Sequence, residues 1–382
     1  MRERINLLRE FSIPLLSGVA VAILWANSAP ENYFHSIHDH FIGQFSLLFL
    51  TNDIFMVFFF GIAAAEITHS LMPGGDLYPI EKSIGPLFAT IGGVIGPALV
   101  YLTLNHFVGS PEMQRGWGIP TATDIAFAWL IARLVFGNGH AAVSFLLLLA
   151  VSDDGIGLVI IALFYPNPLL PVKPLWLLLT LAGMATAYLL RKQRVLSYRP
   201  FVLLGGCLAW TGLYRAHLNP ALALAFIIPF LPHTGFEKKH IFEEGSAGRS
   251  PISQFEYEWK VIVDFGLFLF GLVNAGVKFS QGGAVTWLVV SSLIAGKCIG
   301  ILSFGVAAAK LGFPLPAGLR GRELFIIGII GGIGFTVALF ISGEAFTDQA
   351  LQDAAKMGAM LSCGAAAIAL ITGKLLKIKK VP

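Results

Sequence analysis

Between Ala141 and Phe164 the chain runs for 24 residues with only two charged groups, the adjacent Asp153 and Asp154. About 20 apolar residues are enough to cross the hydrocarbon core of a bilayer as a helix. Windows of this kind recur along the whole length, at 12–28, 52–71, 84–106, 118–134, 141–164, 174–190, 200–214, 219–232, 259–278, 284–309, 322–342 and 352–373. The recurrence predicts an all-α membrane protein with twelve transmembrane helices, forming a single transmembrane domain over residues 1–382.

Composition excludes the ordinary soluble alternative. Of the 382 residues 56% are hydrophobic and 13% charged, with a mean hydropathy of +0.76. A soluble domain is about half apolar and about a quarter charged, so this chain lacks the polar residues to cover a globule. Its 42 glycines and 20 prolines suit membrane helices, where neighbours re-satisfy a broken backbone and small residues allow close packing. Cys207, Cys298 and Cys363 all fall in apolar runs; an odd, scattered count reads as buried packing rather than a disulfide or metal framework. The opening "MRERINLLRE" with "ANSA" after it has the look of a signal peptide, but eleven further spans follow and the charge pattern fits an even number.

Orientation follows from lysine and arginine, which collect on the cytoplasmic side. With both termini placed there, that side holds 20 of the 26 basic residues, the other side holds 5, and Lys297 lies inside the membrane. The longest polar stretch, Pro232–Glu258, becomes a cytoplasmic loop that divides eight spans from four. The fourth span contains "GIPTATDIAF" and the eleventh "GIIGGIGFTVALF". Interrupted helices in corresponding places of two halves point to a transporter's binding site at the midplane. A glycine-rich packing helix accounts for the eleventh span equally well.

Ionisable groups at membrane depth are rare and mark function. At membrane depth the chain offers six acids, Asp53, Glu66, Asp124, Asp153, Asp154 and Asp264, against one base, Lys297. Not every acid can be charged and dry, so some are protonated, hydrated or bound to a cation. Neighbours on a helix point about 100° apart, so Asp153 and Asp154 do not readily share one partner. Gly155 and Gly157 leave room for close backbone approach. Oxygen ligands suit hard cations, and a carboxylate that holds either a proton or a cation is the smallest element of proton/cation exchange. Lys297, in "AGKCIGI", needs a counter-ion, and Asp153 or Asp154 is the natural one. Asp124 follows Thr123 just after Pro120; it either neutralises the positive N-termini of half-helices or ligates directly. Glu66 is expected near the cytoplasmic end of the second span, lining a cation entrance, and Asp53 at the other end as a helix cap. Asp264 either pairs with Lys260, one turn away, or lines the entrance. His35, His38 and His40 read as a solvated outer loop.

Together "IPTATDIAFA", "DDGIGLVIIALFY", "NAGV", "GKCIGI" and "GGIGFTVALFI" resemble the NhaA-type bacterial sodium/proton antiporter family, in order from the second span to the twelfth. The resemblance implies two inverted three-helix repeats, at spans three to five and ten to twelve. Spans four and eleven would be broken helices crossing at the midplane, the second broken at Gly331, Gly332 and Gly334. It implies sodium bound at Asp154 and Asp153, with Asp154 the main ligand, Lys297 salt-bridged to Asp153, and Thr123 and Asp124 in the broken helix. Glu66 would belong to a cytoplasmic funnel. The first outer loop, about Tyr33–Ser46, would be a β-hairpin through which the chain forms a homodimer.

Three departures touch the region the family ties to pH regulation: Thr68, His69 and Ser70 after Glu66, Asn219 before Pro220, and "FEYEWK" at the start of span nine. The expected function is an electrogenic antiporter of the bacterial inner membrane, exporting sodium or lithium and importing protons, in sodium and pH homeostasis. Its partners are those ions and the lipid bilayer; no cofactor, enzymatic activity or nucleic acid is expected. A same-fold sodium-coupled symporter of an organic solute and a non-transporting ion or pH sensor are the alternatives. An intramembrane aspartyl protease draws its acids from different helices to meet across one water, which adjacent aspartates do not match.

Overall fold

The computed structural model describes residues 12–40, 45–75, 77–78, 80–166, 170–232, 250–313, 315–316 and 318–381. Among them the chain is helical throughout, with no β-strand. Six helices are long and apolar enough to cross a membrane: Leu47–Leu71, Ser83–Val108, Ala141–Phe164, Pro174–Lys192, Ala284–Lys310 and Gln349–Leu375. Two further helix pairs cross only if each is taken as one interrupted span, Pro111–Thr121 with Ile125–Phe136, bent by 56°, and Gly321–Gly331 with Phe335–Ala345, bent by 49°. Ile13–Ser28, Phe201–Ala216 and Pro220–Phe230 are shorter apolar helices, and Pro251–Asn274 is a helix that carries charges in its first half. Most of the loop expected at Pro232–Glu258, residues 233–249, lies outside the described residues, as does the basic opening.

The chain divides into two compact units. One is chiefly Ile80–Gly157 with Asn274–Pro382, the other Pro14–Pro79 with Leu158–Val273. An order repeats along the chain: a long helix, a broken pair and a second long helix, once in 80–164, of which the first unit holds Ile80–Gly157, and again in 284–375 within that unit. Its two leading helices approach at backbone distance. A Cβ on Gly92 would sit 2.2 Å from the Gly300 carbonyl oxygen, one on Gly300 would sit 1.9 Å from that of Gly92, and one on Gly296 would sit 2.5 Å from the Pro97 Cα. Only glycine permits this approach. Just before Lys297 the backbone widens into a π-turn over Ser292–Gly296, a local insertion often found at functional sites.

Several expectations need correction. The helix that holds most of the expected ninth span begins before it, at Pro251: Ser250 Oγ accepts from the Ser253 amide at 3.3 Å and proline suits the first helical position, so "FEYEWK" lies within the helix. Asp53 is not a cap; it sits inside a π-turn, Leu50–Phe55, and the cap is Ser46, at the start of Leu47–Phe49, accepting from the Phe49 amide at 3.1 Å. The Tyr33–His38 part of the expected β-hairpin belongs instead to a helix, Pro30–His38, with proline in its first turn and Tyr33 and Ile37 buried one turn apart. The Tyr33 hydroxyl donates to the Leu272 carbonyl at 2.7 Å; residues 41–44 lie outside the description. His35 and His38 are exposed, at Asp39 and the Phe34 carbonyl. Cys207 is exposed rather than buried, and all three cysteines are free.

Candidate functional site

In the first unit the two helix breaks meet. The Asp124 amide, in one break, donates to the carbonyl of Ile333, in the other, at 2.7 Å. The Asp124 carboxylate then serves two half-helices. Oδ1 accepts from the Phe127 amide at 3.0 Å as the N-cap of Ile125–Phe136. Oδ2 accepts from the Thr336 hydroxyl at 3.0 Å and the Thr336 amide at 3.3 Å, in the first turn of Phe335–Ala345. An acid at two helix N-termini answers the partial positive charge of their unpaired amides.

The C-terminal ends of the other half-helices face Thr123 and Lys297. Thr123 is fully buried, and its single hydroxyl proton has two acceptors, Asp153 Oδ2 at 2.8 Å and the Gly331 carbonyl at 2.9 Å. Lys297 Nζ donates to the Thr123 oxygen at 2.8 Å and forms a direct ion pair with Asp153 Oδ2. Both side chains of that pair are 0% exposed, where an unpaired charge would be prohibitive. A Cβ on Gly331 would lie 4.0 Å from Lys297 Cδ. The ammonium therefore lies near a helix C-terminus, the end where a cation is favoured.

Gly332 and Gly334 let the breaks close. A Cβ on Gly332 would meet the Leu293 carbonyl oxygen at 2.6 Å, and one on Gly334 would meet Leu293 Cδ2 at 2.6 Å and the Ala122 carbonyl oxygen at 3.0 Å. Asp153 and Asp154 sit in the interior of Ala141–Phe164, Asp153 fully buried and Asp154 half-buried. With both carboxylates and the ammonium ionised, this group of three side chains would carry one net negative charge. Oδ1 of Asp153 is buried with no hydrogen-bond partner among the described residues.

Glu66 belongs to the second unit and is described there. Lys260 Nζ lies 3.0 Å from Glu66 Oε1 and 3.9 Å from Glu256 Oε1, and His69 Nε2 lies 3.7 Å from Glu256 Oε2. Two of the three departures, His69 and the acid and base of "FEYEWK", thus assemble around Glu66. Asn219 caps its own turn, accepting from the Ala221 amide at 3.0 Å. Sequence reasoning singled out His69 and "FEYEWK" but not their meeting beside Glu66, and it missed Thr336 at Asp124. The i, i+4 spacing of Glu256, Lys260 and Asp264 was a usable signal once the helix is begun at Pro251.

Two interrupted helices that meet at buried ionisable groups define the class: a multi-pass helical membrane transporter. A family model described as Na+/H+ antiporter 1 matches residues 5–374. The chain belongs to that family, whose members are transporters rather than enzymes. It is 61% identical over 381 residues to the Na(+)/H(+) antiporter NhaA 1 of Pelobacter propionicus, covering 100% of both chains. It is 58% identical to the NhaA antiporter of Geobacter sulfurreducens, again over 100% of both, and 40% identical to that of a Jannaschia species, over 98% of both. Among solved structures, the sodium proton antiporter MjNhaP1 of Methanocaldococcus jannaschii matches with a TM-score of 0.53 at 13% identity, over 95% of this chain and 91% of that one. That last likeness is one of fold.

Proposed function

We propose that this chain exports sodium or lithium in exchange for protons, with Asp153 and Asp154 as the exchange site and Asp154 the main cation ligand. The observation that carries the reading is the buried cluster: Lys297 is ion-paired with Asp153, Asp154 is the next residue on the same helix, and one buried carboxylate oxygen of Asp153 has no hydrogen-bond partner among the described residues. With all three ionised, one negative charge remains for a proton or a monovalent cation. A cation that binds only the deprotonated site competes with protons, so each lowers the apparent affinity for the other. Protonation breaks both the cation contact and the ion pair with Lys297, and deprotonation restores them. Two titrating carboxylates against one sodium make the cycle electrogenic.

In the same reading, the chain is one transporter domain of twelve transmembrane helices with inverted repeats at spans three to five and ten to twelve, whose broken helices cross at the midplane. Thr123 and Asp124 hold the crossing, and Gly331, Gly332 and Gly334 supply its backbone. Glu66 lines a cytoplasmic funnel. The 20-to-5 distribution of basic residues supports both termini in the cytoplasm and a place in the bacterial inner membrane. A homodimer is part of the proposal, to be read from native mass spectrometry.

Proteoliposomes holding a pH gradient test the central claim. Added sodium or lithium, but not potassium, should collapse the gradient. No collapse at any pH would refute exchange.

A further inference from the structure

The half-helix Ile125–Phe136 has Asp124 at one end. Its other end is gripped by a distant part of the chain. The Val381 amide donates to the Phe136 carbonyl at 2.9 Å. The next residue, Gly137, has φ +86°, and a Cβ there would sit 2.0 Å from the Val381 carbonyl oxygen. Only glycine can hold this conformation and leave this space. Nearby, a Cβ on Gly373 would lie 2.8 Å from Val135 Cγ1, so the helix Gly364–Leu375 also packs closely on the half-helix.

Between those contacts the chain turns sharply. The Ile378 amide donates to the Gly373 carbonyl at 3.1 Å and the Lys377 amide to that of Lys374 at 3.1 Å, a helix stop of the kind that needs a left-handed residue. That residue is Lys377, at φ 50°. The turn presents "KLLKIKK", in which Lys374, Lys377, Lys379 and Lys380 are all exposed. The stretch from Ser362 to Val381 contains no acid to neutralise them. A group of about four or more basic residues directly following a transmembrane helix is drawn to anionic lipid.

We infer that residues 376–381 form a strap: Lys377, Lys379 and Lys380 bind the phosphates of anionic lipids in the adjoining leaflet, and Val381 on Phe136 clamps the half-helix whose other end holds Asp124. The half-helix has 12 residues and so spans about 18 Å. It is short and capped at both ends. Membrane charge that seats the strap therefore steadies the end of the element that carries Asp124. The lipid contact stands on its own, while the effect on transport rests on the antiporter reading.

Hydrogen exchange of the 376–381 amides, in nanodiscs of wholly zwitterionic lipid and of lipid with an anionic fraction, separates the two. Exchange should slow about tenfold or more in anionic lipid, since each lysine near such a surface contributes about fivefold to its binding. High salt should erase the difference, because screening shortens the reach of surface charge. The variant Lys377→Gly, Lys379→Gln, Lys380→Gln keeps the left-handed turn and should exchange alike in both lipids. Lys310→Gln, an exposed lysine at another helix end, should leave the difference intact. Gly137→Ala should unseat the strap in both lipids while circular dichroism stays unchanged. Equal protection in both lipids, or an equal loss from Lys310→Gln, would overturn the strap. In proteoliposomes of the same lipids, half-saturating sodium should differ between them for the native chain and not for the triple variant. Lipid-dependent protection with lipid-independent exchange would overturn the clamp on the half-helix. Protection without any exchange would instead sink the antiporter reading and leave the strap standing.

Discussion

Asp124 joins the two helix breaks through both its main chain and its side chain: its amide reaches the Ile333 carbonyl at 2.7 Å while its carboxylate reaches Thr336. The backbone polarity that a break exposes is thus satisfied by the other break. In a membrane no water is on hand to do this, so each interruption is tolerable only because its counterpart is there.

Removing that shared cap costs both half-helices at once. Asp124→Ala should lower stability by about 1–2 kcal/mol for each helix start it caps. Thr336→Val removes only one side-chain donor and should cost clearly less. Thermal unfolding in detergent compares them, and equal losses would contradict a shared cap.

The ion pair of Lys297 and Asp153 makes an asymmetric prediction. Lys297→Met leaves a fully buried carboxylate without its cation and should destabilise by about 3–5 kcal/mol. Adding Asp153→Asn to it removes the stranded charge and should restore most of the melting temperature. No recovery in the double variant would mean that Lys297 stabilises through packing alone.

Glycines at the second break should differ sharply from one just beyond it. Gly332→Ala and Gly334→Ala meet a carbonyl oxygen and a leucine methyl, both at 2.6 Å, so each should cost roughly 1–3 kcal/mol as overpacking. Gly343→Ala, in the half-helix after the break, meets nothing within 4 Å. It should be neutral or gain about 0.5–1 kcal/mol from reduced backbone freedom. Melting temperatures of the three variants decide it.

Asp154→Asn should reduce sodium-driven proton movement to background while leaving the melting temperature close to native. In the unmodified chain, half-saturating sodium should rise as pH falls, by up to about tenfold per pH unit where one proton is displaced per ion. Unchanged transport by the variant would remove Asp154 from the site.

Much of this arrangement was legible beforehand because it is local in the chain. Adjacent acids within an apolar run, a lone lysine in another and Gly/Thr/Pro interruptions in two more can be read from spacing. The pairing of Lys297 with an acid of the pair followed from charge balance. What could not be read was contact across the chain. Lys260 spacing suggested Asp264, but gave no sign that Lys260 also lies 3.0 Å from Glu66, 194 positions away. Thr336 gave no hint that Asp124 would cap its turn. The start of Pro251–Asn274 was hidden because its first turns mix polar and charged residues with apolar ones, and a hydropathy window registers a helix only where it is mostly apolar. The helix Pro30–His38 was missed for a different reason: the resemblance suggested a hairpin where proline, an early acid and two late histidines favour a helix.

The glycine seam between the leading helices of the first unit bears on how Lys297 can ever travel. With Gly92 and Gly300 at backbone distance and Gly296 against Pro97, the helix that begins at Lys297 has one register against its neighbour and no smooth track to neighbouring ones. A slide of a single residue would drive side chains into main chain. The ammonium is in effect bolted to a chassis. Its exposure can change through its own flexible stem or by transit of the joined helices together, and a gradual creep of one helix past the other is mechanically barred.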